Sequence, residues 1–155
     1  MLKLTLLKKL RKQLILFLKK SAWSKIQLGW IRPRVITATR FYNILPSAKK
    51  QFAYKIQSGF PQGEYLLIEN RQPIGFDRKM PHGGLAIWHI DENAALDQEG
   101  YPGQPGWPKN NNHYRVALLQ SDGLYEMEKS VVESGDAGDL YYLGGKNFFK
   151  YIFNA

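Results

Sequence analysis

The first 20 residues are rich in leucine and lysine, and these residues are spaced as in an amphipathic helix. Leu7, Leu10, Leu14 and Phe17 recur at helical spacing, and lysine or arginine fills much of the remaining circumference. The pattern predicts a basic amphipathic helix over residues 1–20. Such a helix either docks on its own domain, contacts a membrane surface or a partner protein, or is a start that does not belong to the native protein.

A secretory signal peptide is a poor interpretation of the same segment. Its apolar centre, Leu14 to Leu18, is only five residues long, runs into two lysines and lacks a suitable small-residue cleavage site. The chain also has no apolar run of about 18 residues, the length that a membrane-spanning helix needs. The sequence therefore predicts no such helix.

Short apolar and β-branched runs after residue 21 predict a β-rich region. Residues 35–44 and 52–56 are expected to form two strands joined through Pro46 and Ser47. Three later runs also have strand character, and the first two are apolar enough to be buried on both faces of a sheet: residues 65–68, 85–90 and 115–120.

Glycine, proline and asparagine mark the connections between these runs. Residues 71–84 indicate a loop, and residues 98–113 indicate a surface loop of unusual length. Residues 134–139 are a turn-rich acidic segment, and residues 147–153 are an aromatic and basic tail.

The predicted fold class is α+β and predominantly β. It consists of an N-terminal amphipathic helix followed by a mostly antiparallel β region, and it lacks the His-Glu-x-x-His helix that forms a zincin active site. The expected organisation is a helix over residues 1–20, a β-rich domain over residues 21–145 and an atypical tail over residues 146–155.

Composition and charge narrow the classes of function. The absence of cysteine excludes disulfides, thiolate zinc sites and a cysteine nucleophile. The net charge is +9, but residues 1–63 contain 14 Lys or Arg and no acid, whereas residues 64–155 contain 8 Lys or Arg and 13 Asp or Glu. Because the basicity belongs to one end of the chain, we do not expect nucleic acid as a partner of the whole domain.

Motifs of enzymatic chemistry are missing from the sequence. His82, His89 and His113 are spaced by 7 and 24 residues, so they form no His-Glu-x-x-His zinc motif. There is also no phosphate-binding glycine loop and no nucleophile elbow. We therefore assign no catalytic residue and no certain cofactor, and we interpret His89 as a hydrogen-bonded core residue.

Carboxylates at strand ends and in glycine turns are the remaining chemical signal. Calcium prefers hard oxygen ligands on a backbone that can bend around the ion. The residues that fit this description are calcium candidates: Glu69, Asp91, Asp122, Asp136 and Asp139. The alternatives are ordinary turn chemistry for Asp before Gly and an ion pair of Glu69 with Arg71 or Arg115.

Five blocks of the chain form a recognisable set. They are residues 24–30 (SKIQLGW), 63–72 (GEYLLIENRQ), 75–92 (with GFD and GLAIWHIDE), 114–123 (YRVALLQSDG) and 135–140 (GDAGDL). In this order they resemble the immune inhibitor A-like family of secreted bacterial zinc metallopeptidases. The resemblance covers about residues 22–145 and implies the part of the peptidase that follows its catalytic core.

The resemblance also implies where the zinc site of the parent enzyme would lie. The family's zinc-binding helix should precede Ser24, but residues 1–20 contain no His, Glu or Asp. No catalytic residue can be carried over, and we expect no peptidase activity from this chain alone. Since the chain after Gly145 also departs from the family, we expect a truncated or frameshifted gene product, or a gene model cut from a longer one.

Location and partners follow from the same resemblance. It implies an extracellular protein whose parent binds zinc and cleaves protein substrates, and whose partner is the catalytic part if that part is separately encoded. Calcium is a possible ligand of its acids. Separated from the catalytic part, the region is expected to expose Trp23, Trp30, Phe41 and Tyr42.

Two alternatives from other classes stay open. One is a non-enzymatic module that binds calcium or a partner through its acidic strand ends. The other is a protein that binds a membrane surface or nucleic acid through the basic residues 1–20.

Overall fold

A computed structural model describes residues 21–94, 104–107, 114–129 and 135–143 of the chain. The predicted amphipathic helix over residues 1–20 and the tail over residues 146–155 lie outside the described residues, as does most of the predicted loop 98–113. The described chain is predominantly β, with few helices. Its elements are α1 (Ala22–Gln27), β1 (Arg32–Val35), β2 (Phe52–Ile56), β3 (Glu64–Arg71), a 3-10 turn (Gly75–Asp77), β4 (Gly84–Asp91), β5 (Val116–Leu118) and α2 (Glu126–Lys129).

The five strands form one mixed sheet in the order β1-β2-β3-β4-β5. The first pair is parallel, with Arg32 beside Phe52, and the other three pairs are antiparallel. The longest pairing joins β3 and β4 over their full lengths, from Glu64 opposite Asp91 to Arg71 opposite Gly84. These two central strands therefore organise the domain, and both were predicted from their apolar runs.

The prediction that both central strands are buried on both faces is wrong for β3. Buried and half-buried residues alternate strictly along β3, whereas β4 is buried at most positions of both faces. The reason is that α1 covers only one face of the sheet. That face carries Leu67 and Ile90, which form the core with Ala22, Ile31, Ala53 and Tyr65.

The strand predicted over residues 35–44 is also wrong. The strand in this region is β1, which ends at Val35, and residues 36–44 belong to no strand of the sheet. Because β1 and β2 run parallel, the chain between them must return along the sheet before β2 begins. This return segment is held by side chains: Tyr42 donates to the Ala38 carbonyl at 2.8 Å, and the Asn70 amide donates to the Ile44 carbonyl at 2.6 Å.

Helix α1 was not predicted, although its sequence carries a start signal. The Ser21 hydroxyl accepts from the Ser24 backbone N–H at 3.2 Å, which is a standard N-cap. The helix brings Trp23 and Ile26 against the core, and Trp30 packs there just after the helix. Of the four candidates for an exposed apolar patch, Phe41 is fully exposed, whereas Trp23, Trp30 and Tyr42 are half-buried.

The described helices are all short. None of them has both the length and the apolar character that crossing a membrane requires.

Candidate metal centre

Backbone hydrogen bonds bring two distant acidic segments together beyond β5. Ser121 N–H donates to the Asp139 carbonyl at 3.1 Å, and Asp122 N–H donates to the Gly138 carbonyl at 3.0 Å. A further bridge pairs Leu85 at the start of β4 with Tyr141. The turn that follows β5 and the segment 135–141 are thus anchored side by side on the sheet.

The side chains of these segments form an acidic cluster, which consists of Asp122, Glu126, Asp136 and Asp139. One carboxylate oxygen from each of Asp122, Glu126 and Asp136 lies within 4.8 Å of the others. Asp139 adjoins them, because its Oδ2 accepts from the Asp136 backbone N–H at 2.6 Å. Three of the five predicted calcium candidates therefore meet at one place.

Glycines allow the carboxylates of the acidic cluster to crowd together. A Cβ at Gly138 would collide with Oδ2 of Asp122 and lie 3.1 Å from Oδ1 of Asp136. Gly135 has φ +83°, in the left-handed region, and a Cβ there would lie 2.6 Å from Oδ2 of Asp139. The Gly-Asp-Ala-Gly-Asp sequence is thus suited to a tight turn lined with oxygen atoms.

The carboxylates of the acidic cluster repel one another. The pKa of Asp139 is raised from 3.8 to about 6. Burial is the largest cause, and the negative charges of Asp136, Asp122 and Glu126 add to it. The hydrogen bond from the Asp136 backbone opposes this rise. A divalent cation would relieve the repulsion, and a set made only of carboxylates suits calcium rather than zinc.

The raised pKa of Asp139 predicts a distinctive pH dependence. Between pH about 4 and about 6 the folded chain holds a proton on Asp139 that the unfolded chain has released. The contribution of this proton to stability is complete below pH about 4 and is lost as the pH rises through about 6. Without calcium, the Asp139→Asn variant should therefore gain stability relative to the parent chain as the pH rises through this window.

Urea unfolding of both proteins in a chelator, at several pH values from 4 to 7, measures this difference. Carboxylates outside the acidic cluster contribute equally to both proteins, so subtraction isolates Asp139 together with its coupling to the neighbouring acids of the cluster. Parallel stability curves would contradict the raised pKa of this carboxyl group.

The other two calcium candidates lie elsewhere in the sheet. The buried Glu69 carboxylate on β3 accepts from Lys25 Nζ at 2.6 Å and from Trp88 Nε1 at 3.2 Å. Asp91 ends β4, and its Oδ1 accepts from the Asn93 backbone N–H at 2.9 Å. Neither belongs to the acidic cluster.

The sequence suggested that Glu69 pairs with Arg71 or Arg115, but its cationic partner is Lys25. Arg71 pairs with Asp77 at 2.6 Å, and Arg115 Nε donates to the Ala94 carbonyl at 3.0 Å. Sequence reasoning also missed Glu126 as a member of the acidic cluster. The available signal was its position four residues after Asp122, at the start of a helical turn.

The described histidines form no metal centre with the acids. His89 is buried, its Nε2 lies 3.2 Å from Oε2 of Glu64, and its ring contacts those of Phe60 and Trp107. This placement agrees with the core role predicted for it. His82 is exposed and stacks on Tyr142 at 3.9 Å between ring centroids. Within the described ranges, the one group of three ligand side chains contains no histidine, so these residues do not fit the histidine-ligated zinc of the family that the sequence blocks resemble.

The blocks that carry the family resemblance map onto neighbouring elements. Residues 63–72 contain β3, residues 75–92 contain β4, residues 114–123 contain β5, and residues 135–140 supply two acids of the acidic cluster. No family model, curated protein or solved structure matches the chain. The resemblance therefore rests on the sequence blocks themselves.

A separate cleft of about 460 Å³ lies at the β2–β3 turn. Lys55, Tyr65 and Glu92 contribute to its wall. Glu92 accepts hydrogen bonds from Trp23 Nε1 at 2.8 Å and from the Tyr65 hydroxyl at 2.6 Å. Burial and the Glu92 carboxylate raise the pKa of Tyr65. These contacts tie α1 to the sheet, and the opposite charges of the wall select no single class of ligand.

Proposed function

We propose that this chain is the region that follows the catalytic core in an immune inhibitor A-like metallopeptidase. The observation that carries the proposal is the placement of the family-like blocks. Blocks separated by loops in the sequence supply the three adjacent strands β3, β4 and β5 and the segment 135–140 anchored beside them. If the chain shares the fold of that family, its family-like blocks should lie next to one another in the folded domain, as they do here.

In this proposal the chain supports catalysis without performing it. Peptide hydrolysis in such enzymes uses a zinc-bound water and a glutamate base, both of which belong to the parent's catalytic core. The sheet and its cover helix α1 would pack beside that core, which would be the chain's partner. The proposed location is extracellular, and protein substrates belong to the complete enzyme.

A second proposed function is calcium binding by the acidic cluster. Its support is the crowding of Asp122, Glu126 and Asp136 around one point, beside the buried Asp139. In the complete enzyme the ion would hold segment 135–141 against the turn after β5. Sites of extracellular modules bind calcium at about 10⁻⁴–10⁻³ M, a range that suits a cluster with one exposed ligand. The same ion would define the chain's role if it acts as a stand-alone binding module.

The proposal predicts that the purified chain does not cleave protein, with or without added zinc. The physical reason is that the described residues provide no set of zinc ligands together with a general base. A gelatin zymogram of the full chain, run with zinc and in parallel with a chelator, measures this. Clear lysis that the chelator removes would contradict the assignment of the chain to the region outside the catalytic core.

A further inference from the structure

A continuous row of cationic and aromatic side chains crosses the edge of the sheet. The guanidinium of Arg34 lies 3.9 Å from the centroid of the Phe52 ring, and that of Arg40 lies 5.0 Å from the Tyr42 ring. Between them, Tyr54 packs edge-to-face against both Phe52 at 5.5 Å and Tyr42 at 5.2 Å. The order is thus Arg34, Phe52, Tyr54, Tyr42, Arg40, and we call this row the arginine–aromatic stripe.

The stripe lies in a region with an excess of positive charge. Residues 21–63 contain seven Lys or Arg and no acid. The ion pairs of the described residues involve Lys25, Arg71 and His89, and none involves an arginine of the stripe. Arg32 adds a further cation beside Phe52 in the sheet register. A guanidinium group stacked on a ring has fewer conformations to lose when it binds a ligand, and its N–H groups suit phosphate oxygens.

Apolar side chains are exposed along the same edge. β1 is an end strand of the sheet and is exposed at all four residues. Val35 ends this strand with 45% of its surface exposed, and Phe41 in the following segment is fully exposed. The edge therefore combines unpaired cations with apolar groups that water covers in the free chain.

We propose that this edge of the sheet, from Arg32 to Tyr42, docks on an anionic phospholipid surface. The arginines would contact lipid phosphates, and Phe41 would enter the boundary between headgroups and acyl chains. The inference rests on charge complementarity and is independent of the proposed peptidase family. It concerns residues of the folded sheet, not the basic residues 1–20.

A single-stranded nucleic acid fits the same surface less well. Nucleic-acid platforms offer open ring faces on which bases stack. Here Phe52, Tyr54 and Tyr42 are packed edge-to-face on each other, and guanidinium groups lie over the outer two rings. A bilayer, by contrast, uses exposed apolar groups such as Phe41.

Vesicle co-sedimentation of the full chain tests the proposal. The probes are vesicles of phosphatidylcholine alone and of phosphatidylcholine mixed with phosphatidylglycerol. We expect binding to the anionic vesicles only, and weaker binding at high salt. Each cation near an anionic surface contributes about fivefold in affinity, so Arg34→Gln/Arg40→Gln should weaken binding by about 25-fold. Phe41→Ser should also weaken it.

Control variants separate this edge from general charge. Arg78→Gln/Lys79→Gln removes the same charge from exposed positions outside the stripe, and it should change binding much less. Arg34→Lys/Arg40→Lys keeps the charge and should keep most of the binding. Circular dichroism spectra of all variants check that the fold is retained.

Three results would overturn the proposal. The first is equal loss of binding in the Arg34→Gln/Arg40→Gln and Arg78→Gln/Lys79→Gln variants. The second is binding that depends on Lys8 and Lys9, tested by Lys8→Gln/Lys9→Gln, and not on the stripe. The third is binding to a single-stranded oligonucleotide that needs Arg34 and Arg40, with no binding to anionic vesicles.

Discussion

Replacing Lys25 by methionine is expected to lower the free energy of unfolding by about 3–5 kcal/mol. The Lys25 Nζ atom of α1 lies 2.6 Å from the Glu69 carboxylate of β3, and the glutamate side chain is fully buried. Removing the lysine leaves a buried negative charge that still accepts a hydrogen bond from the Trp88 indole at 3.2 Å. The cost comes from the uncompensated charge rather than from the lost attraction itself.

Urea unfolding of the parent chain and three variants measures this effect. The double variant Lys25→Met/Glu69→Leu removes both charges and should recover most of the lost stability, since an apolar pair of similar volume is often neutral. Lys79→Met, at an exposed position, should change stability by no more than about 0.5 kcal/mol. A loss below about 1 kcal/mol in Lys25→Met would contradict the view that this ion pair fastens α1 to the sheet.

Calcium is expected to raise the midpoint of thermal unfolding by about 5–10 °C when its concentration is about 100 times the dissociation constant. A ligand that binds only the folded state contributes about 2.7 kcal/mol at that ratio, and a chain of this size gains about 2–4 °C per kcal/mol. The physical source is relief of the repulsion among the carboxylates of the acidic cluster, which adds to the effect of burial in raising the pKa of Asp139 to about 6. Magnesium should act more weakly, because it dehydrates reluctantly.

A double variant separates calcium binding from a general effect of salt. Asp122→Asn/Asp136→Asn removes two of the three carboxylates that meet in the acidic cluster. Without calcium it should be at least as stable as the parent, because repulsion falls. With calcium its midpoint should not move. Thermal unfolding followed by circular dichroism measures both quantities, and an equal calcium response of the two proteins would contradict the site.

The strands that sequence reasoning found are those with local signals. β3 and β4 are apolar runs bounded by glycine and polar residues, so their existence needed no knowledge of their partners. Residues 36–44 are also rich in β-branched and aromatic residues, but they form no strand. They connect β1 to β2, and because these two strands run parallel, the connection returns along the sheet. Strand composition says which residues favour a sheet, and the order of strands decides which of them enter it.

The candidate metal centre also contains residues that the local sequence indicates, whereas the role of Glu69 depends on a distant partner. Asp136 and Asp139 share one glycine turn, and Asp122 begins another, so their chemistry was visible locally. The role of Glu69 depended on Lys25, 44 residues earlier, and no local pattern indicates that partner. Helix α1 was missed for a different reason, because Ser21 is a recognisable cap but the helix that it starts is only six residues long.

The most direct test of the central claim is the DNA sequence upstream of the Met1 codon. If the chain is the region after the catalytic core of an immune inhibitor A-like metallopeptidase, translation of this DNA in all three frames should reveal a His-Glu-x-x-His motif close to the start. That result would place a zinc-binding helix beside the sheet described here. Upstream DNA that encodes no such motif in any frame would contradict the claim, and calcium binding by the acidic cluster would become the leading account.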